Sequence, residues 1–227
     1  LVVNDPPSGM SSLDWVLESG ATYVLGVPTH AIDIQAAMKQ RGLPRLGKVK
    51  VFYIAGAAIP AETARTFLDQ GTLPQNVYGM TENGSHQYTQ PADPVEVITS
   101  TCGKACAGYE IRLWSQENPD VEVGPGEVGE IGGRGGVLML GYFDNQSVTE
   151  NSFNRSGWFL SGDLGQFDAQ GNLRIVGRKK DLIIRGGENI SPGEIEATLD
   201  EHPQIDESAI IGVPDPVAGT AVKAFVE

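Results

Sequence analysis

Cysteine, histidine and basic side chains are all scarce in this sequence. Its 227 residues include 2 cysteines, 3 histidines and 16 lysines and arginines, against 29 acidic residues. Cys102 and Cys106 cannot build a disulfide framework, and no paired C-x-x-C motif or histidine cluster indicates a zinc site. The formal net charge of −13 argues against a protein that binds nucleic acid non-specifically.

Long apolar runs are also missing. No stretch approaches the length of a membrane span, and no signal-peptide pattern is present. Apolar residues still make up 40% of the chain, which is enough to fill a core. We therefore expect a reduced, cytoplasmic protein without a membrane span.

The few basic residues are unevenly distributed. Residues 174–185 contain five of the sixteen, namely Arg174, Arg178, Lys179, Lys180 and Arg185. A basic island in an acidic chain indicates an anion site, and a solvated charged turn is the alternative.

Strand and helix patterns alternate from residue 9 to residue 90. Predicted helices begin at caps Ser12 and Thr29 and at Pro60, and predicted strands cover 21–25, 49–54 and 76–78. This alternation predicts a mostly parallel β/α layer, whose loops at the strand carboxyl ends are the usual place for a ligand.

The pattern changes after Pro94. Residues 95–176 are rich in glycine and contain short strands at 109–114, 128–131 and 158–160, a pattern typical of a small β-barrel or sandwich. After Asp181, a helix over 192–201 and strands over 209–213 and 221–226 predict an α+β terminal domain. We predict an α/β chain with units at 1–94, 95–176 and 182–227, the second a small β-barrel.

Two predicted strand ends carry side chains suited to a nucleotide. Beside Gly79, Tyr78 can cover a base, Thr81 can hydrogen-bond phosphate oxygens and Glu82 can hold Mg²⁺. Asp163, after Ser161 and Gly162, can accept hydrogen bonds from both ribose hydroxyls. The alternatives are that Thr81 and Glu82 cap a turn and that Asp163 forms an Asx turn.

Residues 177–196 combine a charged turn, a glycine pair and a helix start. The segment reads GRKKDLIIRGGENISPGEIE, and Gly186 and Gly187 allow close approach of a ligand to the backbone. Ser191 stands at the N-cap, Pro192 at the first helical position, and Glu194 can close a capping box. A β-hairpin leading into a surface helix explains the same pattern.

Four ordered segments resemble one family. They are YGMTE (78–82), GEIGGRGGVLMLGYF (129–143), GWFLSGDLG (157–165) and the 177–196 segment. Their order and spacing resemble the adenylate-forming superfamily of acyl- and aryl-CoA synthetases, luciferases and the adenylation domains of peptide synthetases. The segments RGGENISPGEIE and GVPTHAID look most like CoA ligases acting on aromatic, alicyclic or fatty carboxylates.

This resemblance implies site residues. ATP or AMP would be held by Gly56, Ala57, Ala58, Asn76, Val77, Tyr78, Gly79, Thr81, Asp163 and Arg178. Glu82 would hold Mg²⁺, His30 would lie by the acyl carboxylate, Asp181 in the 177–181 hinge would be the pivot, and Gly186 and Gly187 would line the CoA tunnel. The implied reaction forms an acyl-adenylate from a carboxylate and ATP and then a thioester with CoA.

Two elements of the family are not found. The sequence contains neither a Ser/Thr/Gly-rich phosphate loop ending in Lys-Gly nor the late lysine of the adenylation step. We therefore expect an internal portion of a longer ligase, inactive by itself. A nucleotide-binding fragment without turnover and an amino-acid adenylation domain that loads a carrier protein remain alternatives, and a homodimer is compatible with the resemblance.

Overall fold

The computed structural model describes residues 6–57, 59–185, 188–199, 202, 204–205, 208–215 and 219–227. The chain divides into two units. The first contains residues 1–109, 135–139 and 170–174, and the second contains residues 110–134, 140–169 and 175–227. Among the described residues, no helix combines the length and the apolar character that crossing a membrane requires.

The first unit is a five-stranded sheet with helices. Its helices are α1 (Ser12–Ser19), α2 (Pro28–Gln40), α3 (Ala61–Asp69) and α4 (Val95–Ser100). Its strands, in their order across the sheet, are β1 (Tyr23–Gly26), β2 (Val51–Ile54), β3 (Leu73–Met80), β4 (Gly84–Tyr88) and β5 (Lys104–Ala105).

This sheet is mixed, which corrects the prediction of a mostly parallel layer. Strands β1, β2 and β3 pair in parallel, whereas β4 pairs antiparallel with both β3 and β5. A three-residue turn, 81–83, returns the chain directly from β3 into β4, and so short a connection allows only antiparallel pairing.

Two helix starts differ from the predicted caps. The N-cap of α1 is Ser11 and not Ser12, and its hydroxyl oxygen accepts a hydrogen bond from the Asp14 N–H at 3.1 Å. Helix α2 begins at Pro28 after the N-cap Val27, so Thr29 lies inside its first turn. Proline suits that position because the first helical N–H needs no partner within the helix.

The core of the first unit lies among its helices and parallel strands. Its fully buried members include Leu13, Met38, Leu46, Phe52 and Phe67. The rings of Phe52 on β2 and Phe67 on α3 meet edge to face, with centroids 5.3 Å apart. This contact holds α3 against β2, the strand that leads into the loop of Gly56 and Ala57.

A four-stranded sheet precedes Asp181, and most of its residues belong to the second unit. Its strands are β6 (Tyr109–Trp114), β7 (Gly129–Gly135), β8 (Phe159–Phe167) and β9 (Leu173–Arg178), in that order, and α5 (Gln146–Asn151) lies between β7 and β8 in sequence. Within the described part of the chain this sheet is open, with β6 and β9 at its edges, so the predicted barrel is not formed. Four strands are too few to close around a packed interior.

The terminal segment adds two antiparallel pairs and a helix. After the 3₁₀ turn Lys179–Asp181 come β10 (Ile183–Arg185), β11 (Glu188–Ile190), α6 (Pro192–Leu199), β12 (Ser208–Asp215) and β13 (Gly219–Val226). Strand β10 pairs with β11 and β12 pairs with β13. Glu196 on α6 accepts a hydrogen bond from the Ile210 N–H at 2.8 Å and so attaches the helix to β12.

Candidate functional site

The predicted phosphate-binding pair Thr81 and Glu82 lies at the tip of the β3–β4 hairpin. Thr81 is exposed and Glu82 is half-buried. The Asn83 side-chain oxygen accepts a hydrogen bond from the Met80 N–H at 3.0 Å, and the Glu82 carbonyl accepts one from the Met139 N–H at 2.7 Å. The sequence placed the pair directly after a parallel strand, but β3 pairs in parallel with β2 only as far as Asn76.

Gly79 allows the hairpin to be this tight. The strand register shifts between Tyr78 and Gly79, and a Cβ atom on Gly79 would collide with the Gly84 carbonyl oxygen. No other residue fits where the two backbones approach so closely.

The residues predicted to line the adenine pocket are mostly buried. Asn76, Val77 and Tyr78 expose 6%, 3% and 8% of their surfaces. The Asn76 side-chain amide donates to the Thr101 carbonyl at 3.0 Å, and its backbone N–H donates to the Thr89 hydroxyl at 3.2 Å. This framework holds the strand that leads into the hairpin tip.

His86 on β4 is a buried residue that sequence reasoning missed. It is fully buried, and neither ring nitrogen has a hydrogen-bond partner among the described residues. Its ring stacks on Tyr109 with centroids 4.1 Å apart and meets the Tyr78 ring edge to face at 5.5 Å. Burial lowers the pKa of His86 to about 4 and raises the pKa of the Tyr109 phenol to about 12, because both charged forms lose hydration.

His30 and Gly56 lie at one edge of the sheet. Strands β1 and β2 are parallel and end opposite each other at Gly26 and Ile54, so the loop after β2 adjoins the start of α2. His30 is exposed, and its Nδ1 accepts a hydrogen bond from the Val27 N–H at 3.5 Å. Gly56, with φ of 95°, and Ala57 are exposed in the loop, whereas Ala58 lies outside the described residues.

In the second unit, Asp163 and Arg178 form an ion pair. The Arg178 Nε lies 3.3 Å from the Asp163 Oδ1, and the Asp163 side chain is 11% exposed. The Asp163 N–H donates to the Ser161 hydroxyl at 3.1 Å. The structure thus brings together two residues that lie in separate sequence motifs. Both residues are predicted to contact the ribose.

Glu130 on β7 is a second residue that sequence reasoning missed. Its Oε2 lies 2.7 Å from the Lys179 Nζ, its Oε1 accepts a hydrogen bond from the Gly162 N–H at 3.2 Å, and its side chain is 7% exposed. The available sequence signal is a carboxylate between Gly129 and Ile131, within the motif 129–143 that carries the family resemblance.

The remaining predicted positions belong to the terminal segment. Asp181 is exposed in the 3₁₀ turn that follows β9. Gly186 and Gly187, predicted to contact CoA, lie outside the described residues.

Among the residues that the structure describes, a magnesium ion fits only as an ion shared with phosphates. The described residues contain no group of three His, Cys, Asp or Glu side chains that could hold a metal. The half-buried Glu82 offers one carboxylate beside an exposed hydroxyl. One carboxylate together with substrate phosphates is a common arrangement for Mg²⁺.

Comparison with known proteins decides the family. A model of the AMP-binding enzyme family matches residues 2–143, and a model of the AMP-binding enzyme C-terminal domain matches residues 194–227. The chain belongs to the AMP-binding enzyme family. Its resemblance to adenylate-forming enzymes is thereby confirmed.

Relatives and solved structures of AMP-binding enzymes agree with this assignment. The medium-chain fatty-acid–CoA ligase of Escherichia coli is 34% identical over 90% of this chain and 36% of its own length. ATP-bound MatB from Rhodopseudomonas palustris superposes with a TM-score of 0.86 at 32% identity, over 95% of this chain and 42% of that one.

A third similar protein contains a reaction intermediate. The o-succinylbenzoate CoA synthetase MenE from Bacillus subtilis, in complex with the acyl-adenylate OSB-AMP, gives a TM-score of 0.81 at 30% identity, over 95% of this chain and 44% of that one. The chain spans less than half the length of each of these three AMP-binding enzymes.

Proposed function

We propose that this chain is part of an ATP-dependent acid–CoA ligase. The enzyme joins a carboxylate to AMP with release of pyrophosphate, and then transfers the acyl group to the CoA thiol with release of AMP. Membership of the AMP-binding enzyme family supports this reaction class, since the relatives are named as CoA ligases. The observation that carries the proposal is the buried Asp163 carboxylate beside Arg178.

Asp163 is the proposed ribose ligand. An ionised carboxylate can accept hydrogen bonds from both ribose hydroxyls, and its burial strengthens such bonds because water competes less. The Arg178 Nε lies 3.3 Å from this carboxylate and orients it before the nucleotide binds.

Thr81 and Glu82 are the proposed phosphate-binding residues. The exposed Thr81 hydroxyl can donate to a phosphate oxygen, and Glu82 would hold a magnesium ion shared with the phosphates. When bound, this ion supplies positive charge that neutralises the phosphates. The tight hairpin holds both side chains at a fixed tip, so they need little ordering when ATP binds.

Further proposed roles concern the acyl carboxylate, the pivot and CoA. His30 would lie beside the acyl carboxylate, at the sheet edge that it shares with the loop of Gly56 and Ala57. Asp181 would serve as the pivot about which the terminal segment moves between the two half-reactions, and Gly186 and Gly187 would contact CoA. Aromatic, alicyclic and fatty carboxylates are the proposed substrate class.

The test uses the complete polypeptide that carries this sequence and the variant Asp163→Ala. Two hydrogen bonds to a charged acceptor are lost, so ATP affinity should fall about 100-fold or more. Asp120→Ala is the matched control, because Asp120 in the same unit also lies 3.3 Å from an arginine Nε, that of Arg155. Unchanged ATP affinity in Asp163→Ala, or an equal loss in Asp120→Ala, contradicts the assignment.

A further inference from the structure

Strand β8 carries a bulge at the proposed ribose ligand. Glu130 on β7 pairs with Leu164, whereas Gly132 pairs with Leu160. Three residues of β8, namely Ser161, Gly162 and Asp163, therefore stand opposite the single residue Ile131. Such a bulge re-aims side chains and leaves backbone groups outside the regular ladder of hydrogen bonds.

The Glu130 carboxylate supplies a partner inside this bulge. Its Oε1 accepts the hydrogen bond from the Gly162 N–H at 3.2 Å. Gly162 has φ of 76°, a conformation that favours glycine and that the bulge requires. Glu130 thus fixes the residue immediately before Asp163.

The second carboxylate oxygen of Glu130 fixes the other member of the ribose pair. Its Oε2 lies 2.7 Å from the Nζ of Lys179, the residue immediately after Arg178. Since the carboxylate is nearly buried, it needs both partners to compensate for lost hydration. One side chain therefore holds the sequence neighbours of Asp163 and of Arg178 at the same time.

We propose that Glu130 is the positioning residue for ribose recognition. It does not touch the nucleotide; it holds the β8 bulge and the start of the 3₁₀ turn so that Asp163 and Arg178 meet in the geometry that accepts the two hydroxyls. This inference rests on the proposed function, because it assumes that Asp163 binds ribose. It also couples ribose binding to Lys179, the first residue of the turn that contains Asp181.

The test compares AMP with 2′,3′-dideoxy-AMP by calorimetry, again with the complete polypeptide. Glu130→Gln keeps an acceptor for the Gly162 N–H but removes the charge that faces Lys179. We expect the variant to lose about tenfold in its preference for AMP over the dideoxy nucleotide, or 1.4 kcal/mol. Its affinity for the dideoxy nucleotide should stay within about twofold of the wild-type value, since the ribose contacts are already absent there.

Three further variants keep the result interpretable. Glu110→Gln is the matched control, because Glu110 forms an exposed ion pair with Arg134 at 3.2 Å, and it should leave the preference unchanged. Lys179→Met removes the more exposed partner of the same ion pair. It should therefore reduce the preference for AMP even if Glu130→Gln fails to fold. In an Asp163→Ala background, Glu130→Gln should have no further effect on the preference.

The outcomes separate this inference from the proposed function. Wild-type protein that binds AMP and the dideoxy nucleotide equally well contradicts ribose binding, and the inference falls with it. Wild-type preference for AMP that survives in both Glu130→Gln and Lys179→Met overturns the inference alone. Equal weakening of both nucleotides overturns it too, since that is the effect of a residue that only stabilises the fold.

Discussion

Protonation of His86 should make the first unit unstable in acid. The histidine is fully buried between the Tyr78 and Tyr109 rings, and neither ring nitrogen has a hydrogen-bond partner among the described residues. A proton on this ring would place a charge in an apolar site without compensation. Burial accordingly lowers the pKa of His86 from 6.5 to about 4.

The sign and size of the effect follow from linkage between protonation and folding. The unfolded chain takes up a proton near pH 6.5, whereas the folded chain does so only near pH 4, so stability falls as the pH drops between these values. The free energy of unfolding falls by about 3 kcal/mol in total, at up to about 1.4 kcal/mol per pH unit. For a protein of this size this loss corresponds to about 6–12 °C in the melting temperature.

The assay compares wild-type protein with His86→Phe from pH 7.5 to pH 4.5 by calorimetry. Phenylalanine keeps the aromatic contacts, and its larger ring adds a cost that does not vary with pH. Other groups titrate in both proteins, so the difference between the two curves isolates His86. The exposed His202 provides the control His202→Gln, which should follow the wild-type curve.

Two results would refute this reasoning. Parallel curves for wild-type protein and His86→Phe would show that the proton on residue 86 does not contribute to acid sensitivity. A ring proton resonance of His86 that titrates near pH 6.5 in the folded protein would show directly that the buried site accepts the charge.

Two further predictions concern the hairpin and the pivot. Gly79→Ala should destabilise the first unit by about 1–3 kcal/mol in thermal unfolding, because the added Cβ would collide with the Gly84 carbonyl oxygen. The control Gly136→Ala should leave stability unchanged, since a Cβ at Gly136 meets open space. Equal melting temperatures for the two variants would contradict the close approach. Asp181→Pro fixes φ near −65° and should spare one half-reaction while abolishing the other, as measured by pyrophosphate exchange and by thioester formation from a supplied acyl-adenylate. Equal loss of both reactions would argue against a pivot.

Much of the fold follows from local sequence pattern. Strand β6 has the predicted bounds 109–114, and Gly20 ends α1 in the left-handed conformation that glycine favours. Strand β4 was missed because GSHQY lacks apolar alternation. The side-chain amide of the buried Gln87 instead donates to the Gly103 carbonyl at 2.7 Å. That partner is distant in sequence, so no local pattern predicts it.

The arrangement of strands could not be derived in the same way. The predicted barrel required the second unit's strands to close, and closure depends on strand number and tilt, which a sequence does not state. Glu130 illustrates the same limit at the site, since nothing local reveals that its carboxylate lies buried against Lys179. Asp163 and Arg178 were each predicted from a motif, whereas the residue that holds their neighbours was not.

The most direct test of the ligase proposal is product analysis with the complete polypeptide. The protein is supplied with ATP, CoA and a panel of fatty, aromatic and alicyclic carboxylates, and nucleotides and thioesters are quantified together. The proposal predicts AMP, pyrophosphate and an acyl-CoA thioester in equal amounts, each dependent on the carboxylate. Formation of ADP, or nucleotide binding without any thioester from the panel, would contradict it.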